Sequence, residues 1–244
     1  MLRDRQRASF RSAEVQRTPS HKRMLGRYNR RPPFLTPARM PYRLIAFDFD
    51  GTLADSFDAF VDALNAAATK HGFHRLEGAR LAQARGASAR DVMRLLDVPL
   101  WKAPAITLEM RKQMRERIAQ TQLFDGVAET LEALAGRGVR LAIATSNAED
   151  NVRAVLGPAT RWVHHYSCGI SVFGKARKLA ALTASTRVRP EDVLYVGDEM
   201  RDADAARAAG IAFRGVAWGY TAPDALQRHA GAPLLGRPED LLAL

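Results

Sequence analysis

Short apolar runs alternate with longer stretches of helical period along most of the chain. Residues 42–47, YRLIAF, form an apolar run that ends against Asp48 and reads as a buried strand. Phe57, Phe60, Val61, Leu64, Ala67 and Ala68 follow at helical spacing, with a start near Ser56 and Gly72 as the stop. From about 74 to 122 the pattern stays helical with breaks. Ser88 can cap a helix carrying Val92, Leu95 and Leu96. Pro99 and Pro104 interrupt the chain before a second helix through Met110, Met114 and Ile118.

The rhythm then changes. Val127, Leu131 and Leu134 mark a helix that stops at Gly136 and Gly138. VRLAIAT, 139–145, predicts a strand, 149–156 a helix, and WVHHYSC, 162–168, a weaker strand. A helix from about 175 to 185 precedes DVLYVGD, 192–198, a strand ending in an acid. Asp202 to Ala209 reads as a small-residue helix closed by Gly210, and IAFRGVAW, 211–218, as the last clear strand. Strands alternating with helices predict an α/β fold, a Rossmann-like doubly wound parallel sheet covered on both faces. Residues 41–55 and 123–244 form this core, and 56–122 an inserted helical subdomain. Ligands of such sheets bind beyond the carboxyl ends of the strands. Asp48 and Asp50, then Thr145, Ser146 and Asn147, then Asp198 all fall at predicted strand ends.

Charge separates the first 40 residues from the rest. The formal net charge is +11, but residues 1–40 hold 11 Lys and Arg against only Asp4 and Glu14. The other 204 residues are close to balanced, so the basic character describes a tail and makes nucleic acid an unlikely partner of the globular part. The tail lacks a steady period and is poor in large apolar residues, and is expected to be a disordered extension. A start at Met40, a basic arm for nucleic acid or anionic lipid, and an organelle-targeting peptide are the other readings. No apolar run approaches the roughly 20 residues of a membrane span, and residues 1–30 show no secretory apolar core. Cys168 is the sole cysteine, which excludes an internal disulfide and fits a cytoplasmic location. The sequence leaves the oligomeric state open.

DFDGT sets Asp48 and Asp50 two residues apart just past a strand, on one side in extended geometry. Two carboxylates there repel unless a cation sits between them or one keeps a proton. Mg2+ answers this, since it prefers carboxylate oxygens, and Asp198 adds a third acid from a neighbouring strand. Gly51 permits a tight turn whose backbone N–H groups, with Thr52, can cradle a phosphate. Ser146 alone would usually cap the helix beginning near Glu149, and it can bind an anion as it does so. His164 and His165 have no second cluster at metal spacing and read as structural. Trp218 reads as a packing residue. Glu199 reads as a metal neighbour or a solvated loop carboxylate.

DFDGTLADS, ATSN, GKARKL and YVGDEMRD occur in this order and resemble the four motifs of the haloacid dehalogenase-like hydrolase superfamily. The resemblance covers roughly residues 41–230. It is closest to phosphoglycolate-phosphatase-like members with a helical cap after the first motif. It implies a Mg2+-dependent phosphatase with Asp48 as nucleophile, passing through an aspartyl phosphate. Asp50 would be the general acid and later the base. Asp48 and Asp198 would bind the metal through side chains and Asp50 through its carbonyl. Ser146, with Asn147 beside it, would contact the phosphoryl group, and Lys175 would offset its charge. Asp202 would bind a metal water or orient Lys175. Many relatives carry Lys-Pro at the third motif, so GKARKL leaves Lys175, in a loop after Gly174, to be chosen over Lys178. An acid at Asp50 favours phosphate esters over halides, because a halide leaves without a proton. The substrate implied is a small phosphorylated metabolite, phosphoglycolate-like or a sugar phosphate. In RGASARDV, 85–92, Arg85 or Arg90 would meet its second anionic group, unless both are solvated helix-end charges. A phosphomutase of the same superfamily, and a catalytically silent binding protein with a nucleic-acid-contacting tail, are the alternatives.

Overall fold

A computed structural model describes residues 41–169 and 174–244; the basic extension, 1–40, and the expectations about it lie outside them. The central strand is β1, Leu44–Phe47, all four residues buried. A strand buried on both faces needs no polar alternation, which is why LIAF is a continuous apolar run. β4, Arg140–Ala144, and β6, Val193–Gly197, pair with it in parallel on either side, with Leu44 opposite Arg140 and Val193. β5, Val163–Ser167, and β7, Ala212–Gly215, complete the order β5-β4-β1-β6-β7. All pairings in this sheet are parallel.

Alternate residues of β1 feed opposite faces. Ile45 and Phe47 join a core with Val127, Leu131 and Leu134, from α5, Val127–Gly136. Leu44 and Ala46 join another with Leu179 and Leu182, from α7, Lys175–Thr186. The remaining core helices are α6, Glu149–Leu156, α8, Met200–Ala209, and α9, Pro223–Ala230. Chain order runs outward in both directions from β1, so the ends of β1, β4 and β6 flank the crevice where such sheets bind ligands.

Four helices form the insert: α1, Phe57–His71, α2, Gly78–Ala84, α3, Ala89–Leu95, and α4, Ala103–Glu116. Leu64, Leu76 and Leu96 centre a separate apolar cluster there, with Phe60, Val61 and Met110 against it. Buried Asn65 holds the chain after α1, accepting from the Leu76 N–H at 2.7 Å and donating to its carbonyl at 3.2 Å. β2, Ala54–Asp55, and β3, Gln122–Leu123, pair antiparallel, so the insert leaves and re-enters the core at one two-stranded ribbon.

The expected elements stand with few changes. α4 ends at Glu116, so Ile118 lies in a separate 3-10 turn, Ile118–Gln120, and not on the second insert helix. Ser88 caps α3 as expected, accepting from the Asp91 N–H. α9 and the 3-10 segment Pro238–Ala243 were not anticipated from the sequence. Among the described residues no helix is long and apolar enough to cross a membrane.

Candidate active site

Asp48 stands one residue beyond β1, where its N–H still bonds to the Val196 carbonyl of β6. The strand therefore fixes its backbone before any ligand arrives. Its Oδ1 accepts from the Phe49 N–H at 2.9 Å and its Oδ2 from Lys175 Nζ at 2.7 Å. Lys175 is the first residue of α7 and donates also to Asp202 Oδ1 at 2.6 Å. Asp202, in the first turn of α8, takes the Glu199 N–H at 3.0 Å on its other oxygen. Lys175 and both acids are buried, whereas Lys178 is exposed. Lys175, and not the exposed Lys178, is thus the lysine bonded to Asp48 and Asp202.

Asp198 follows β6 and is fully buried. Thr52 Oγ1 donates to its Oδ1 and the Tyr220 N–H to its Oδ2, each at 2.8 Å. Two glycines make this approach possible. At Gly51, φ +76 lies in the left-handed region, and a Cβ there would sit 2.6 Å from the Tyr220 ring. At Gly219 a Cβ would fall 2.7 Å from the Asp198 carboxylate.

Carboxylate oxygens of Asp48, Asp198 and Asp202 lie within 4.8 Å of one another. Burial is the main force pushing Asp198 up to about 8, with Asp202 and Asp48 adding to it. Burial also raises Asp48, against the opposing charge of Lys175. For Lys175, burial opposes the charge, but Asp202 and Asp48 outweigh it and hold the ammonium above its ordinary range. One ammonium beside three buried carboxylates leaves a negative excess, and an oxygen-seeking divalent cation fits that donor set. Asp48, Asp198 and Asp202 could together hold such an ion. Asp202, already engaged by Lys175 and the Glu199 N–H, is better placed to fix the lysine.

Asp50 is set apart from this cluster. Ser56 Oγ donates to its Oδ1 at 3.0 Å, and Asn147 Nδ2 reaches its two oxygens at 3.3 and 3.1 Å. Burial, then the charge of Asp48, pushes it up to about 6. A carboxyl that titrates near neutrality is suited to give and take protons.

Several expectations are corrected. The Gly51 and Thr52 N–H groups do not face a phosphate; they bond to the Ala54 and Phe49 carbonyls and close the loop, while the Thr52 hydroxyl is committed to Asp198. Ser146 does not cap α6. Ala148 stands at that N-terminus, and Asn147 Oδ1 accepts from the Ala148 N–H and from Asn151. The half-buried Ser146 side chain makes no hydrogen bond among the described residues. Arg85, expected near a substrate anion, donates here to the carbonyls of Tyr220 at 3.1 Å and Gly219 at 3.0 Å and lies 5.2 Å from the Phe57 ring centroid. Glu199 stands at the N-terminus of α8, and its side chain pairs with Arg201. Trp218 packs edge-on against Phe124 and donates to the Thr52 carbonyl at 3.1 Å.

Ser56, Gly219 and Tyr220 were not singled out for the site. The signal available was WGYT, a small-aromatic pair just past the last strand, where the chain must pass over Asp198.

Comparison with known proteins agrees with this arrangement. The sequence profile of the haloacid dehalogenase-like hydrolase matches residues 45–216. A phosphoglycolate phosphatase of Synechococcus elongatus is 34% identical over 200 residues, 81% of this chain and 94% of that protein. The tyrosine-protein kinase PtkA of Mycobacterium tuberculosis is 32% identical over 198 residues, covering 79% of this chain and 68% of PtkA. A haloacid dehalogenase-like family protein of Streptococcus pneumoniae superposes with a TM-score of 0.69 at 19% identity, over 83% of this chain and 98% of its own. The family profile, the shared sheet and the acids gathered at the ends of β1 and β6 together place this chain in the haloacid dehalogenase-like hydrolase family.

Proposed function

We propose that this phosphatase-type hydrolase cleaves a small phosphorylated metabolite, phosphoglycolate-like or a sugar phosphate, with Mg2+ and through an aspartyl phosphate on Asp48. The observation that carries the reading is the gathering of Asp48, Asp198 and Asp202 within 4.8 Å, with Lys175 joined to two of them. Mg2+, when bound by Asp48, Asp198 and the Asp50 carbonyl, supplies positive charge to the phosphoryl oxygens.

A carboxylate oxygen of Asp48 forms the new bond to phosphorus as the ester P–O bond breaks. Asp50 gives its proton to the departing alkoxide, which leaves as an alcohol. In the second half, Asp50 takes a proton from water as that water attacks phosphorus. The Asp48–phosphorus bond breaks, and inorganic phosphate and free Asp48 result. Lys175 offsets charge on Asp48 and on the phosphoryl oxygens, held in place by Asp202. Ser146, half-buried at the end of β4, has a hydroxyl available to donate to the phosphoryl group. Asn147 aims the Asp50 carboxyl.

A screen of phosphorylated metabolites with Mg2+, run beside Asp48→Asn, tests the proposal. Release of phosphate from at least one ester by the wild type alone is expected. No ester hydrolysed above the Asp48→Asn background would overturn it.

A further inference from the structure

Tyr220 meets Asp198, Arg85, Ser56 and the rings of α1, each with a different part of the residue. Its N–H donates to Asp198 at 2.8 Å, and its carbonyl accepts from Arg85 of the insert at 3.1 Å. Its hydroxyl lies 2.8 Å from Ser56 Oγ, which donates to Asp50 Oδ1 at 3.0 Å. Its ring packs against Phe57 and Phe60 of α1, each with centroids 5.2 Å away. Ser56 has one proton. When that proton goes to Asp50, the tyrosine donates in the Ser56–Tyr220 contact, although either oxygen can act as donor there. Tyr220, Ser56 and Asp50 thus form one hydrogen-bonded chain.

We infer that Tyr220 is a positioning residue for Asp50, acting through Ser56. This rests on the proposed role of Asp50 as the acid that protonates the leaving group. Ser56 is the last residue before α1 and makes no side-chain cap to that helix. Its hydroxyl is thereby free to link Tyr220 with Asp50. Tyr220 is in turn braced by Arg85 and by the α1 phenyl rings, all from the insert. A seated insert thus holds the tyrosine hydroxyl where Ser56 needs it, and the Asp50 carboxyl keeps one orientation toward the ester oxygen.

The test compares kcat/KM for an alkyl phosphate, whose alkoxide must be protonated as it leaves, with that for p-nitrophenyl phosphate, whose phenolate departs without a proton. kcat/KM reports the step up to the first irreversible one, so later hydrolysis of the aspartyl phosphate does not mask the result. Tyr220→Phe keeps the ring, the N–H and the carbonyl and removes the hydroxyl alone. Its alkyl-to-aryl ratio is expected to fall about tenfold, the worth of roughly one hydrogen bond. Ser56→Ala is expected to lower the ratio equally and to leave Tyr220→Phe nothing further to remove, so the double variant matches either single one. Thermal melting confirms that each variant is folded; if Tyr220→Phe does not fold, Ser56→Ala carries the test. Equal losses on both esters, an unchanged ratio, or additive effects would overturn the inference. A wild type inactive on both esters would instead refute the phosphatase reading itself.

Discussion

Lys175 and Asp48 lie 127 residues apart in the chain and share a 2.7 Å ion-paired hydrogen bond between two buried groups. The pairing forms because α7 begins at Lys175, at the same sheet edge where β1 releases Asp48. Removing the ammonium leaves Asp48 and Asp202 facing each other without compensation. Lys175→Ala is expected to lower kcat/KM by about two to three orders of magnitude. A loss of about 3–5 kcal/mol in stability is also expected, from leaving buried charge unpaired. Lys178→Ala, on an exposed side chain, should stay within about twofold of wild type. Steady-state kinetics with parallel thermal melts separate the two effects.

The buried acids make stability depend on pH in a stated direction. Asp50 is raised from 3.8 to about 6, and Asp198 from 3.8 to about 8. The folded state therefore binds more protons than the unfolded chain between the lower and upper values. Stability is greatest below the unfolded value and is lost as pH rises through the folded one. For Asp50 alone this amounts to about 3 kcal/mol. In chelator, Tm should fall from about pH 4 to about pH 8. Added Mg2+ should raise Tm more at about pH 8 than at about pH 5.5, because Asp198 must be ionised to hold it. Asp198→Asn should remove most of the Mg2+ effect. Differential scanning calorimetry at the two pH values, with and without Mg2+, checks this.

Gly219 brings the chain over Asp198 so closely that any side chain intrudes. Gly219→Ala places a Cβ 2.7 Å from the Asp198 carboxylate. The loop then has to move, taking the Tyr220 N–H away from Asp198. A cost of about 1–3 kcal/mol and a weakened Mg2+ response are expected. A melt with a Mg2+ titration reads both.

Arg85 gives a prediction that separates two roles. With its guanidinium on the Gly219 and Tyr220 carbonyls, it ties the insert to the core, and the Ala222 N–H bonds back to the Arg85 carbonyl at 2.6 Å. Arg85→Ala should lower kcat/KM for carboxylate-bearing and carboxylate-free phosphate esters alike, by about five- to tenfold. A loss confined to carboxylate-bearing esters would show instead that Arg85 reads the substrate.

Much of this molecule was legible in the sequence, for local reasons. LIAF and VLYVG announce strands because both faces of β1 and β6 are covered, so every position is buried and none is charged. Gly72 and Gly210 close α1 and α8 in the left-handed conformation, at φ 73 and 69. Asp48, Asp50 and Asp198 stood out because each lies just past a strand end. What was not legible depends on the partner a side chain finds in three dimensions. Nothing local says that Ser56 serves Asp50 and not its own helix, or that Thr52 supports Asp198. Arg85 carries the same charge whether it meets a substrate or a backbone carbonyl. α9 is short and weakly apolar, and its best signals, Pro223 near the start and Gly231 past the end, are brief ones.

The covalent step is the centre of this account. The enzyme is mixed with a phosphate ester carrying radiolabelled phosphorus and Mg2+, quenched in acid within one turnover, and digested. The label is expected on the peptide containing Asp48, and Asp48→Asn should carry none. Label on any other residue, or an unlabelled protein in a reaction that releases phosphate, would contradict it.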